Sequence, residues 1–132
     1  MEWNFKFLPE HGVLTLKAIG DLDYDVVIEL IAASATEMQR LDCNKILVDY
    51  RDAVLRLSPT RVYRLPAVEV AHGLDRRHKV AVVLSPSTIR EEDAQIYAEV
   101  IRQNSQPHRL FDDPDTALAW LLDRESSGLV AG

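Results

Sequence analysis

Two stretches decide the fold: Lys45-Ile-Leu-Val-Asp-Tyr-Arg-Asp-Ala53 and Lys79-Val-Ala-Val-Val-Leu84. In each, a lysine opens an apolar run without polar interruption. The runs are Ile46 to Val48, stopped by Asp49, and Val80 to Leu84, stopped by Ser85. A strand with one wet face alternates polar and apolar residues. An unbroken run bounded by turn residues is what an interior parallel strand, covered on both faces, looks like. The two runs are therefore expected to be neighbouring central strands under a layer of helices.

Working outward, Trp3, Phe5 and Phe7 alternate with Glu2, Asn4 and Lys6, and Leu14, Leu16 and Ala18 alternate with Val13, Thr15 and Lys17. The short connection through Gly12 makes these two half-buried runs an antiparallel hairpin. From about Asp23 to Leu41 the period lengthens. Val27, Leu30, Ile31, Met38 and Leu41 share a face, and Asp21, Asp23 and Asp25 crowd the start, so an amphipathic helix is expected. Ser58 before Pro59 starts another helix, which Pro66 should interrupt and Gly73 should end. Thr88 and Glu91 have capping-box spacing for a helix to about Gln103, with Ile89, Tyr97, Val100 and Ile101 inward. His108 to Phe111 reads as a fifth strand. Asp113 and Pro114 open a last helix that packs Ala117, Leu118, Leu121 and Leu122. The order is ββαβαβαβα: an α/β fold with a mixed sheet of about five strands, antiparallel at its N-terminal hairpin and parallel at its centre. Residues 1–125 are expected to form one domain, and Ser126 to Gly132 a loose tail.

Composition narrows the function classes. The net charge of −6 argues against nucleic acid as a general partner. No apolar run approaches the ~18 residues of a membrane span, and no secretory signal opens the chain, so a cytoplasmic location is expected. The lone Cys43 has no disulfide partner within the chain. Charge is unevenly spread: Arg51 to Lys79 holds seven basic residues against three acidic ones, leaving the remainder strongly negative. One basic side is expected, suited to an anionic ligand, lipid headgroups or an acidic protein, or serving only as a solvated face.

The element order, with Lys45 to Ala53 (KILVDYRDA), Leu57 to Tyr63 (LSPTRVY), Lys79 to Leu84 (KVAVVL) and Leu110 to Leu121 (LFDDPDTALAWL), resembles the SpoIIAA-like branch of the STAS superfamily. That resemblance implies four helices packed largely on one face of the sheet. It also implies a small bacterial protein akin to anti-sigma factor antagonists and to lipid-carrying CRAL-TRIO domains. In the antagonists a kinase phosphorylates a serine at the start of the helix after the third strand. The matching phrase here is Arg56, Leu57, Ser58, Pro59, without the acidic and glycine residues of the antagonist phrase.

Three places could carry function. Ser58, beside Arg56 and Arg61, is a candidate phosphosite; its simpler role is a helix cap. The cluster Asp49, Tyr50, Arg51, Asp52 lies at a parallel strand's carboxyl end, where open α/β sheets bind ligands. It superficially resembles a receiver domain with Ser85 as switch hydroxyl, though the charge-stabilising lysine has no counterpart; the simpler reading is that Asp49 and Arg51 bond each other and loop amides. Val62 to Leu74, apolar residues among arginines around Pro66, could gate an apolar cavity, rest on anionic lipid, or simply pack.

His11, His72, His78 and His108 lack ligand spacing, and no nucleotide or hydrolase motif is present, so no catalytic residue, metal or cofactor is assigned. The leading expectation is a non-catalytic STAS-like module that binds a protein partner through Asp49, Arg51, Arg56, Ser58, Arg61 and Arg64. A carrier or sensor of a small apolar or anionic ligand is the alternative, and a small hydrolase using Asp49 or Asp52 ranks third. The aromatic first strand could also support a homodimer.

Overall fold

The computed structural model describes residues 2–103 and 107–123; the expected tail, 126–132, lies outside them. The order is β1 (Glu2–Leu8), β2 (Val13–Asp23), α1 (Tyr24–Arg40), β3 (Lys45–Asp49), β4 (Ala53–Arg56), α2 (Pro59–Val62), α3 (Leu65–Ala71), β5 (Lys79–Val83), α4 (Glu91–Arg102), β6 (His108–Phe111) and α5 (Pro114–Leu121). The two apolar runs are adjacent central strands, pairing in parallel with Ile46 opposite Val80 and Val48 opposite Val82. The sheet order is β1-β2-β3-β5-β6, and among the described residues only the β1–β2 pair is antiparallel.

Alternation along the strands builds two cores. Leu14, Leu16, Ile46, Val48, Val80 and Val82 face the layer of α1, α3 and α4, together with Val27, Leu30, Leu65, Tyr97 and Val100. On the opposite face, among the described residues, Val13, Leu47, Ala81 and Val83 meet Ala117 and Leu121 of α5 alone. The packing is thus largely one-sided, as the family resemblance implies, with the last helix closing the far side.

β2 continues past Ala18 to Asp23, so Asp21 is a strand residue and not part of the α1 start. Its first half pairs with β3 and its second half with β4, an additional short strand on the same side. Gly20, with φ of +100°, sits where the partner changes, and its N–H donates to the Asp52 carbonyl at 3.3 Å. That φ lies in the left-handed region that glycine enters without a Cβ penalty. Asp23 caps α1 by accepting from the Val26 amide at 3.0 Å, and Asp113 caps α5 through the Thr116 amide at 2.9 Å. The helical stretch after Ser58 is broken at Arg64 into α2 and α3, with Pro66 in the first turn of α3 and Gly73, φ +89°, just past its end.

The capping box expected at Thr88 is not formed. α4 begins after Arg90, which caps it without a side-chain bond, while Thr88 is fully buried three residues from Ser85 in a tight turn. The threonine is drawn inward because the break between β3 and β4 leaves buried carbonyls that need donors.

Candidate functional site

That break holds the first candidate cluster. β3 stops at Asp49, the chain turns through Tyr50, Arg51 and Asp52, and β4 resumes beside β2. Each carbonyl of the turn has a donor: Thr88 Oγ1 donates to Tyr50 O at 2.7 Å, Ser85 Oγ to Arg51 O at 2.9 Å, and Gly20 N to Asp52 O. Ser85 is therefore engaged in fastening the turn, as its amide also donates to Thr88 Oγ1 at 3.0 Å.

Asp49 is held by Arg51 in a fork. The guanidinium donates Nε to Oδ1 at 3.0 Å and an Nη to Oδ2 at 2.9 Å, and the Arg51 amide adds a third bond at 3.1 Å. Burial pushes the Asp49 carboxyl up, but these hydrogen bonds and the adjacent positive charge outweigh it and hold the group below the ordinary carboxylate range. A carboxylate so stabilised is a poor general base. Asp52 turns away to Lys17 at 3.1 Å, so the two aspartates do not converge on a reaction centre.

The arginines expected to form one basic side are divided between the two ends of the sheet. Arg51 and Arg56 lie at the carboxyl ends of strands, Arg77 and Lys79 at the amino end of β5. Several are already paired: Arg56 with Asp21 at 3.3 Å, Arg77 with Asp75 at 2.9 Å, Lys79 with Asp123 at 2.8 Å. A run of like charge in sequence spreads over two surfaces because the crossover from β4 to β5 traverses the whole sheet. Arg61 lies over the Tyr24 ring at 4.5 Å, and Arg64 makes no ion pair among the described residues.

Around α2 the picture differs. Ser58, Pro59, Thr60, Arg61, Tyr63 and Arg64 are all exposed, while Val62 and Leu65 anchor the segment in the core. Tyr63 is 59% exposed and, in α3, Val70 is 61% exposed, far more than packing residues would be. Ser58 Oγ accepts from the Arg61 amide at 3.4 Å, a long cap on a helix of four residues.

Two hollows differ sharply in size and lining. The core behind β3 and β5 encloses about 50 Å³, lined by Leu16, Leu30, Val82 and, at a polar end, by Tyr50, Tyr97, Glu69 and His108. Burial pushes both phenols above their ordinary range, helped by the Glu69 charge and, for Tyr97, by Tyr50, and both rings stay neutral. That volume admits water but no acyl chain, since small-molecule pockets run to ~300 Å³ and more. At the amino ends of the strands an open cleft of about 700 Å³ is lined by His11, His72, His78, Lys45, Arg77 and Asp42. No sequence motif marked it, because its histidines come from three separate turns. Cys43 beside it is buried and bonded to the Gly12 and Lys45 carbonyls.

No family model matches the chain, and no curated protein matches it. Among solved structures, an uncharacterised protein of the DUF3478 family with a SpoIIAA-like fold, from Shewanella loihica PV-4, is 19% identical at a TM-score of 0.56, over 91% of this chain and 92% of that one. The anti-sigma factor antagonist SpoIIAA in its unphosphorylated form is 12% identical at a TM-score of 0.51, over 95% and 98% of the two chains. At these identities the likeness is one of fold, and the chain has a SpoIIAA-like fold.

Proposed function

We propose that the chain is a non-catalytic regulatory or protein-interaction module whose partner surface is the exposed α2–α3 segment, with Arg56, Arg61 and Arg64 around Tyr63. The observation that carries this reading is the exposure of Tyr63 and Val70 on elements otherwise pinned into the core. Tyrosine and arginine are over-represented among residues that dominate binding energy, and a rigid anchor lowers the ordering cost. The partner is an acidic protein. Ser58 lies within the same surface, and a phosphate there would place a double negative charge beside Arg61, so its modification would switch partner choice. Asp49 and Arg51 support the surface by fixing the turn that leads into β4.

The test compares wild type with a Tyr63→Ala, Arg61→Glu, Arg64→Glu variant, each immobilised and exposed to the native cell extract. All three side chains are exposed, so the fold is retained and circular dichroism checks it. A protein retained by wild type and released by the folded variant is the expected result; identical retention by both would refute the surface.

The cleft at the amino ends of the strands favours a second reading, a sensor of a small anion, because its volume suits a small molecule and Lys45, Arg77 and three histidines line it. Calorimetric titration with inorganic phosphate and with citrate should then give saturable binding that Lys45→Ala abolishes. Heats of dilution alone would remove this reading.

A further inference from the structure

The first strand is an open edge. β1 pairs with β2 on one side and with no strand on the other among the described residues. Edges of this kind are usually blunted, by shortness, by proline or by charges that repel a copy. β1 has seven residues and no proline, and its two charges are of opposite sign, Glu2 and Lys6. Both are exposed, and neither makes an ion pair among the described residues. On the strand's other face Trp3 remains 37% exposed, its ring edge-on to Phe5 at 5.5 Å between centroids.

We propose that this edge pairs with β1 of a second copy, antiparallel about a two-fold axis through Asn4, joining two sheets into one. A two-fold fixes which residues face each other, because opposed positions must sum to twice the position on the axis. With Asn4 on the axis, Glu2 faces Lys6 of the other copy, and Trp3 faces Phe5, each twice. The charges lie on one face and the rings on the other, as strand alternation requires. The neighbouring axes fail. Through Phe5, Glu2 faces Leu8 and the charges are unmatched; through Lys6, two ammonium groups oppose each other; through Trp3, Glu2 faces Asn4. Cross-strand pairs of opposite charge and of aromatic rings are the ones that stabilise antiparallel ladders. Only five residues of each strand overlap, well short of a standard interface, so the dimer is concentration-dependent.

Sedimentation velocity on the intact protein, from about 1 to 500 µM, reads the monomer–dimer equilibrium. Wild type is expected to shift to dimer mass within that range. Glu2→Lys alone and Lys6→Glu alone each create two like-charge pairs and should weaken association at least tenfold. An equimolar mixture of the two variants restores both pairs, and should regain the wild-type mass as a mixed dimer. Both side chains are exposed, so neither change threatens the fold. Wild type that stays monomeric throughout, single variants that dimerise like wild type, or a mixture that stays monomeric would each overturn the proposal.

Discussion

Thr88 shows how one residue type can serve two local designs. Its hydroxyl donates to Tyr50 O and accepts from the Ser85 amide, with no surface exposed. Thr88→Val keeps the shape and removes both bonds, and chemical denaturation should show a loss of about 1–3 kcal/mol. In the sequence, the same threonine three residues before Glu91 is indistinguishable from a helix cap, because the Tyr50 carbonyl that claims it is 38 positions away. Ser58 and Asp113 were legible as helix starts because their partners are three residues on, whereas Asp23 stood out only as one of three acidic residues crowding the start of α1. The Asp49–Arg51 bond was legible for the same reason, and it makes a prediction about acid. The folded carboxyl titrates below its unfolded value, so its contribution is complete above about pH 4 and is lost as pH falls through the folded pKa. Asp49→Asn should therefore be less stable than wild type at pH 7 by about 1–2 kcal/mol, with the gap narrowing on acid titration followed by fluorescence.

Among the elements, the hairpin and α1 followed directly from periodicity, and the two central strands from unbroken apolar runs bounded by polar residues. β4 did not: Ala53–Arg56 is four residues long, and its partner is the half of β2 beyond the point where alternation fades at Gly20. The change of partner along β2 depends on that glycine. Gly20→Ala forces a Cβ into a left-handed conformation at the junction, and thermal denaturation should register a loss of about 1–2 kcal/mol. The same element explains why α2 and α3 lie where they do, since β4 carries the chain across to Ser58 before the helical turns begin. Their apolar residues were legible as a group but not in their division, with Val62 and Leu65 inward and Tyr63 and Val70 outward, because the break at Arg64 resets the helical phase.

Across the whole molecule, the succession of elements apart from β4 was legible, whereas surfaces were not. A crossover connection takes a basic segment from one end of the sheet to the other, so charge that is contiguous in sequence is split in space. The cleft between His11, His72 and His78 is likewise a product of folding, assembled from turns with no shared motif. The two faces of the sheet also differ in how they are sealed. Helices α1 to α4 share one side, but among the described residues Val13, Leu47, Ala81 and Val83 are covered by α5 alone, which follows all six strands. During synthesis the sheet can thus assemble on the ribosome with one greasy wall bare until Pro114–Leu121 emerges. Until those eight residues arrive, that face is the kind of uncovered apolar surface that favours aggregation of partly folded chains.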